Sequence, residues 1–277
     1  MSENQMTVFE NEFLELNRQA QPIEWSSVRG HLASKLIFMS STEIDQKKVD
    51  QLKVTFEESN QEESPQEWAK SCNDFANALH ACSQQEDSPA VKLLNESLEV
   101  YKKVLMVWTR QDTPSEWAST FNNLGMIFLA LGERTYGKRS LEKSVAAFNN
   151  ALTLRGSDDA PQEWAICQNN MGVSLRILAE LSKNVQTLND SIECYEKALQ
   201  VLTQENSPVG WVMVTANLGD ARIMLANQLD ENELAHKAVA DFASVAEYFQ
   251  GVGLIKQYEL AKDHQKKAQS IEQHIGS

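Results

Sequence analysis

The chain has 277 residues, 42% of them hydrophobic, with 39 acidic against 25 basic side chains for a formal charge of −14. That composition excludes wholesale disorder, and the acidic excess excludes broad binding to nucleic-acid phosphates or to anionic membrane, which needs a Lys/Arg surplus. No apolar run approaches the roughly 18 residues of a membrane span, and the opening MSENQMTVFENEF lacks the basic-then-apolar order of a signal peptide. The four cysteines, Cys72, Cys82, Cys167 and Cys194, show no metal-ligand spacing and fit reduced, buried thiols. A cytoplasmic protein is the expectation.

In chain order, residues 1–20 read as a lead-in helix. The chain then writes Pro-x-x-Trp five times: Pro22 to Trp25, Pro65 to Trp68, Pro114 to Trp117, Pro161 to Trp164 and Pro208 to Trp211. The prolines are spaced by 43, 49, 47 and 47 residues, and only Pro89 and Trp108 stand outside the series. Self-similarity at such a period marks an array whose units bury apolar faces against their neighbours. The units run 21–63, 64–112, 113–159, 160–206 and 207–253, and 254–277 reads as a terminal capping helix. Apolar residues return at helical spacing twice per unit. In the third they are Leu124, Phe128 and Leu131, then Leu141, Val145, Phe148 and Leu152. Each unit is therefore expected to be two antiparallel helices, and the fold class all-α, an α-solenoid of helix pairs.

The start signals have physical causes. Ser64-Pro65-Gln66-Glu67 and Thr113-Pro114-Ser115-Glu116 put a hydroxyl at the cap, proline at the first helical position and a glutamate placed to close a capping box. Each tryptophan falls one turn inside and is expected to be a buried anchor facing the preceding unit. Gly125, Gly172 and Gly219, with Ala76 and Ala33 as equivalents, supply the small residue that lets the second helix approach. Phe56, Tyr101, Phe148, Tyr195 and Phe242 recur as a ring on that second helix.

Catalytic and metal signals are weak. Gly132 to Ser140 nearly spells a phosphate-binding loop, but Arg139 stands where Ser or Thr would meet magnesium, and a helix precedes it rather than a strand. The five histidines share no i, i+4 pair, and no nucleophile elbow is present. No enzyme activity, metal or cofactor is expected.

The repeats resemble a known family. Asn-Leu-Gly with Phe128 or Leu175 three residues on, then Phe148 with Ala151-Leu152, Tyr195 with Ala198-Leu199 and Tyr101 with Val104-Leu105, is similar to the tetratricopeptide repeat. The period, about 47 instead of about 34 residues, resembles the long-period bacterial variant carrying P-x-E-W-A and N-N-L-G. A proline–tryptophan turn and a longer connection inside each pair are expected to account for the difference. The resemblance implies a right-handed superhelix whose first helices line a concave groove.

It also locates a candidate site. Counting from each tryptophan, the sixth residues are Asp74, Asn123, Asn170 and Asn217, and the fifth include Asn73, Asn122 and Asn169. In this family the sixth-position asparagine often faces the groove, where an amide offers donor and acceptor to an extended peptide. Met126, Val173 and Asp220 at the ninth position and Arg176 at the twelfth are expected to shape pockets. The alternative is that these asparagines bond to neighbouring helices. The expected function is a non-catalytic protein-interaction scaffold, binding another protein or a peptide as a monomer. A peptide-sensing regulator of a separate effector and a self-assembling solenoid remain the competing readings.

Overall fold

A computed structural model describes residues 46–85, 88–154 and 156–276. The expected lead-in helix and the first helix of the Trp25 unit, with Gly30, His31 and Ala33, lie outside these residues. The described chain is all-α, with ten helices: α1 Gln46–Glu58, α2 Pro65–Ser83, α3 Ala90–Val104, α4 Pro114–Thr135, α5 Lys138–Leu152, α6 Pro161–Ser182, α7 Val185–Leu199, α8 Pro208–Leu229, α9 Asn232–Val252 and α10 Ile255–Ile275. It divides into two compact units, an amino-terminal one ending at Cys167 and a carboxyl-terminal one starting at Gln168, with the boundary inside α6.

In the amino-terminal unit, α2 packs on α3 and α4 on α5, while α1 covers α2 and α3 covers α4. Direction follows from two close contacts. A β-carbon at Gly132 would lie 2.6 Å from Leu141, and one at Gly125 would lie 2.7 Å from the Phe148 ring. Moving back along α4 thus moves forward along α5, so the pair is antiparallel. One apolar core runs through the unit from Val49 to Ala147, with Tyr101, Val104 and Ile127 fully buried. The carboxyl-terminal unit repeats the scheme: α8 packs on α7, α9 and α10, and α9 on α10. Within each unit the helices meet their sequence neighbours and only sparsely the next but one, which is solenoid-like packing of consecutive antiparallel pairs.

The small residue of the first helix and the ring of the second meet directly. A β-carbon at Gly172 would lie 2.7 Å from Tyr195, and one at Gly219 2.8 Å from Phe242. Close approach of the two backbones lets Ser144 Oγ donate to the Gly125 carbonyl and Ser97 Oγ to the Ala76 carbonyl, both at 2.7 Å.

The helix starts at Pro65, Pro114, Pro161 and Pro208 fall where the sequence signals put them, but the caps use different chemistry. The N–H groups of Ser64, Thr113, Ala160 and Ser207 donate to the carbonyls four residues earlier, at 3.1, 3.0, 3.4 and 2.9 Å. Each cap carbonyl then accepts from its tryptophan N–H, at 3.0, 2.9, 2.9 and 2.8 Å. Ser64, Thr113 and Ser207 make no side-chain cap bond. Thr113 Oγ1 instead donates back to the Thr109 carbonyl at 3.3 Å. The preceding turn offers a nearby acceptor, so the expected capping box does not form.

Two further expectations are corrected. The connection inside a pair is short, two residues at 136–137, 183–184 and 230–231. The long period comes from first helices of 22 residues and from the connections between pairs. Tryptophan burial is also uneven: Trp68 is buried, whereas Trp117, Trp164 and Trp211 are half-buried. Trp117 packs on Phe121 of its own helix, with centroids 4.2 Å apart, and Trp211 meets the edge of Tyr248 on the following α9 at 5.9 Å. Trp108, outside the series, is buried and donates to Gln66 Oε1 at 2.9 Å, tying the end of α3 to the start of α2.

Candidate functional site

The candidate residues lie on first helices, where α-helical spacing turns positions five, six, nine and twelve towards one side. In the amino-terminal unit, Asn123 on α4 is buried. Its Nδ2 donates to Asn77 Oδ1 at 3.2 Å and lies 3.0 Å from the Tyr101 hydroxyl. The Tyr101 hydroxyl in turn donates to Asn77 Oδ1. Burial lifts the Tyr101 phenol well above its ordinary range, despite the bond from Asn123. Three helices are thus stitched by neutral groups. The sequence reading missed Asn77, a ninth-position residue, and the Tyr101 hydroxyl. Its signal was a polar residue at the position where the two following units carry Met126 and Val173.

The carboxyl-terminal unit uses the fifth-position residue instead. Asn217 Nδ2 on α8 donates to Asn169 Oδ1 on α6 at 2.9 Å, and Asn169 Nδ2 donates to Asn170 Oδ1 at 3.1 Å. All three are buried. The expected ladder to a ligand backbone is therefore built here as a ladder between helices, because neighbouring first helices come close enough for amides to meet. Asn73 is also buried and bonds Asp74 at 3.3 Å, while Asp74 and Asn122 are half-buried. Met126, in the amino-terminal unit, and Val173, in the carboxyl-terminal one, are both buried.

Arg176 is the largest fully enclosed side chain, at 0% exposure. It lies beside Tyr195, whose phenol is raised by burial against the lowering influence of the guanidinium, with Asp220 a weaker raising neighbour. Asp220 Oδ1, half-buried on α8, is 3.5 Å from His264 Nδ1 on α10. His264 was not singled out in the sequence, where it sits in a helix of mixed polar residues. Nearby on the same helices Arg222 grips both Asp241 oxygens at 2.9 and 2.8 Å and Glu196 at 3.0 Å, tying α8 to α9 and α7. Burial still outweighs that guanidinium and holds the Asp241 carboxyl up at about 6.

Two sequence features resolve as structure. The near phosphate loop is the end of α4, a left-handed Tyr136 and the start of α5. The thiols are buried, and burial pushes Cys72 up to about 11 and Cys194 up to about 12. Among the described residues no group of three His, Cys, Asp or Glu side chains is arranged to hold a metal, and no helix is long and apolar enough to cross a membrane. No known family model matches the chain, and no curated protein shows significant sequence similarity to it.

Proposed function

We propose that this chain is a non-catalytic, monomeric, cytoplasmic helical-repeat scaffold of the tetratricopeptide type, in its long-period form, which binds an extended peptide or a partner helix. The binding face is the one built by the first helices of the carboxyl-terminal unit. The observation that carries this reading is the chemistry of that face. Asp220, Ile223 and Met224 on α8, half-buried beside the buried Met213, combine an apolar, methionine-bearing surface with one carboxylate. Protein interfaces are enriched in methionine and arginine and depleted in lysine and glutamate, and methionine adapts to varied shapes. The buried asparagines supply the spacing of the helices under this face, and recognition falls to the half-buried Asp220, Ile223 and Met224.

The test starts with affinity purification of the tagged full chain from its native cell, followed by isothermal titration with the partner recovered. Ile223→Ser/Met224→Ser is expected to weaken binding at least tenfold with an unchanged circular dichroism spectrum. Unchanged affinity in that variant removes the face from the account, and recovery of no protein above the control removes the binding reading itself.

A further inference from the structure

We infer that a cleft at the far end of α9 binds a guanidinium group, of the kind an arginine side chain presents. The site lies within the carboxyl-terminal unit and shares no residue with the first-helix face.

The cleft comes from a break in the repeat. The second helices α5, α7 and α9 start 47 residues apart, at Lys138, Val185 and Asn232. The first two run for 15 residues and α9 for 21, so 247–252 have no helical counterpart in the earlier pairs. In those pairs the chain turns into a connection towards the next proline. Here it stays helical as far as the left-handed Gly253, after which the Leu254 N–H donates to the Phe249 carbonyl at 2.9 Å. The added residues leave a cleft of about 350 Å³, lined by Gln204, Ser244, Glu247, Tyr248, Gly251 and Val252. Four of these six belong to the added segment, and Gln204 belongs to the connection before α8.

Gly251 marks the open side. A β-carbon there would meet nothing within 4 Å, whereas one at Gly172 or Gly219 would strike a ring. Glycine weakens a helix interior, and at 251 no close packing asks for it. What it leaves is room.

The polar groups around that room are acceptors. Ser244 Oγ gives its hydrogen to the Asp241 carbonyl at 2.8 Å, so only its lone pairs remain for a ligand. Glu247 and Gln204 are exposed, and neither side chain has a hydrogen bond or ion pair among the described residues. The Tyr248 ring is half-buried and meets Trp211 edge to face, with centroids 5.9 Å apart. Among the described residues no lysine, arginine or histidine lines the cleft. A carboxylate, an amide carbonyl and a hydroxyl oxygen around an aromatic ring match a guanidinium, which has five N–H donors in one plane and no acceptor. It also stacks on aromatic rings and sheds water more readily than an ammonium. The volume is at the small end of ligand pockets, so a single side chain fills it.

The test is titration of the nitrogen-15-labelled full chain with N-acetylarginine methylamide, read by amide NMR shifts. Saturable shifts should centre on 204 and 244–252, and the neutral isostere N-acetylcitrulline methylamide should bind at least tenfold more weakly. Glu247→Gln removes the charge at an exposed position, and Gly251→Leu fills open space. Both variants should keep the wild-type circular dichroism spectrum and lose at least tenfold in affinity. Butylguanidinium titrated in parallel separates the sources. Tighter binding of the arginine derivative assigns the group to a peptide, and equal or tighter binding of butylguanidinium assigns it to a free small cation. Equal binding of the arginine and citrulline derivatives, no saturable shift at 204 and 244–252, or wild-type affinity in either variant overturns the inference.

Discussion

Gly172 has a Tyr195 ring carbon 2.7 Å from where a β-carbon would stand. Gly172→Ala must displace that ring inside a filled core and should cost about 1–3 kcal/mol in urea-denaturation free energy, with amide hydrogen exchange quickening first in α6 and α7. Left-handed residues recur at the same period: Tyr136, Lys183 and Asp230, with φ of 50°, 55° and 54°, each end a first helix. A side chain there is strained, so Lys183→Gly should raise stability by about 0.5–1 kcal/mol, read as a higher Tm. His80 carries the opposite kind of tension. Its ring is buried, Nδ1 has no hydrogen-bond partner, and burial, assisted by Arg134, pushes its pKa down to about 3. A base depressed in the folded state adds stability above its unfolded value of about 6.5, and loses it as pH falls towards 3. Wild type should therefore lose urea resistance on acidification through that window, and His80→Leu should flatten the loss; parallel pH profiles for the two proteins would disprove the assignment.

At the scale of elements, the helix pair is the unit of stability. Within it the second helix adds a serine bond to the first helix's backbone, from Ser97 to Ala76 and from Ser144 to Gly125. Each serine-to-alanine change should cost about 0.5–1.5 kcal/mol. Because the two bonds sit in different pairs, the double variant should be additive to within about 0.5 kcal/mol by chemical denaturation. Between pairs the links are amides and ion pairs: Asn123 to Asn77, Asn217 to Asn169, and Arg222 to Glu196. Helix existence, the proline starts and the glycine–aromatic pairing were all legible from spacing, since periodicity encodes which side of a helix is buried. The cap chemistry was not, because a main-chain turn that accepts the cap N–H leaves no side-chain signature. Full burial of the tryptophans was likewise misread, because equivalent positions in the repeat are covered to different extents, Trp68 more than Trp117, Trp164 and Trp211.

At the scale of the molecule, the proposed monomer rests on the acidic surplus, whose self-repulsion opposes association of copies. Multi-angle light scattering should return the monomer mass across a hundredfold concentration range; growth of mass with concentration would favour the self-assembling solenoid instead. The buried thiols should react with a thiol probe only on unfolding, so the reaction rate in the native state should rise steeply with urea near the unfolding midpoint.

The sequence by itself determined the all-α class, the two-helix unit, the helix starts at Pro65, Pro114, Pro161 and Pro208 and the small-residue seam between partners. Those properties follow from local spacing and from residues with one dominant conformational use. Only the tertiary structure decided what the asparagine row does. An amide offers the same donor and acceptor to a ligand backbone and to another amide, so its partner is set by the distance between helices. Asn123 and Asn217, at about 3 Å from Asn77 and Asn169, bond within the scaffold.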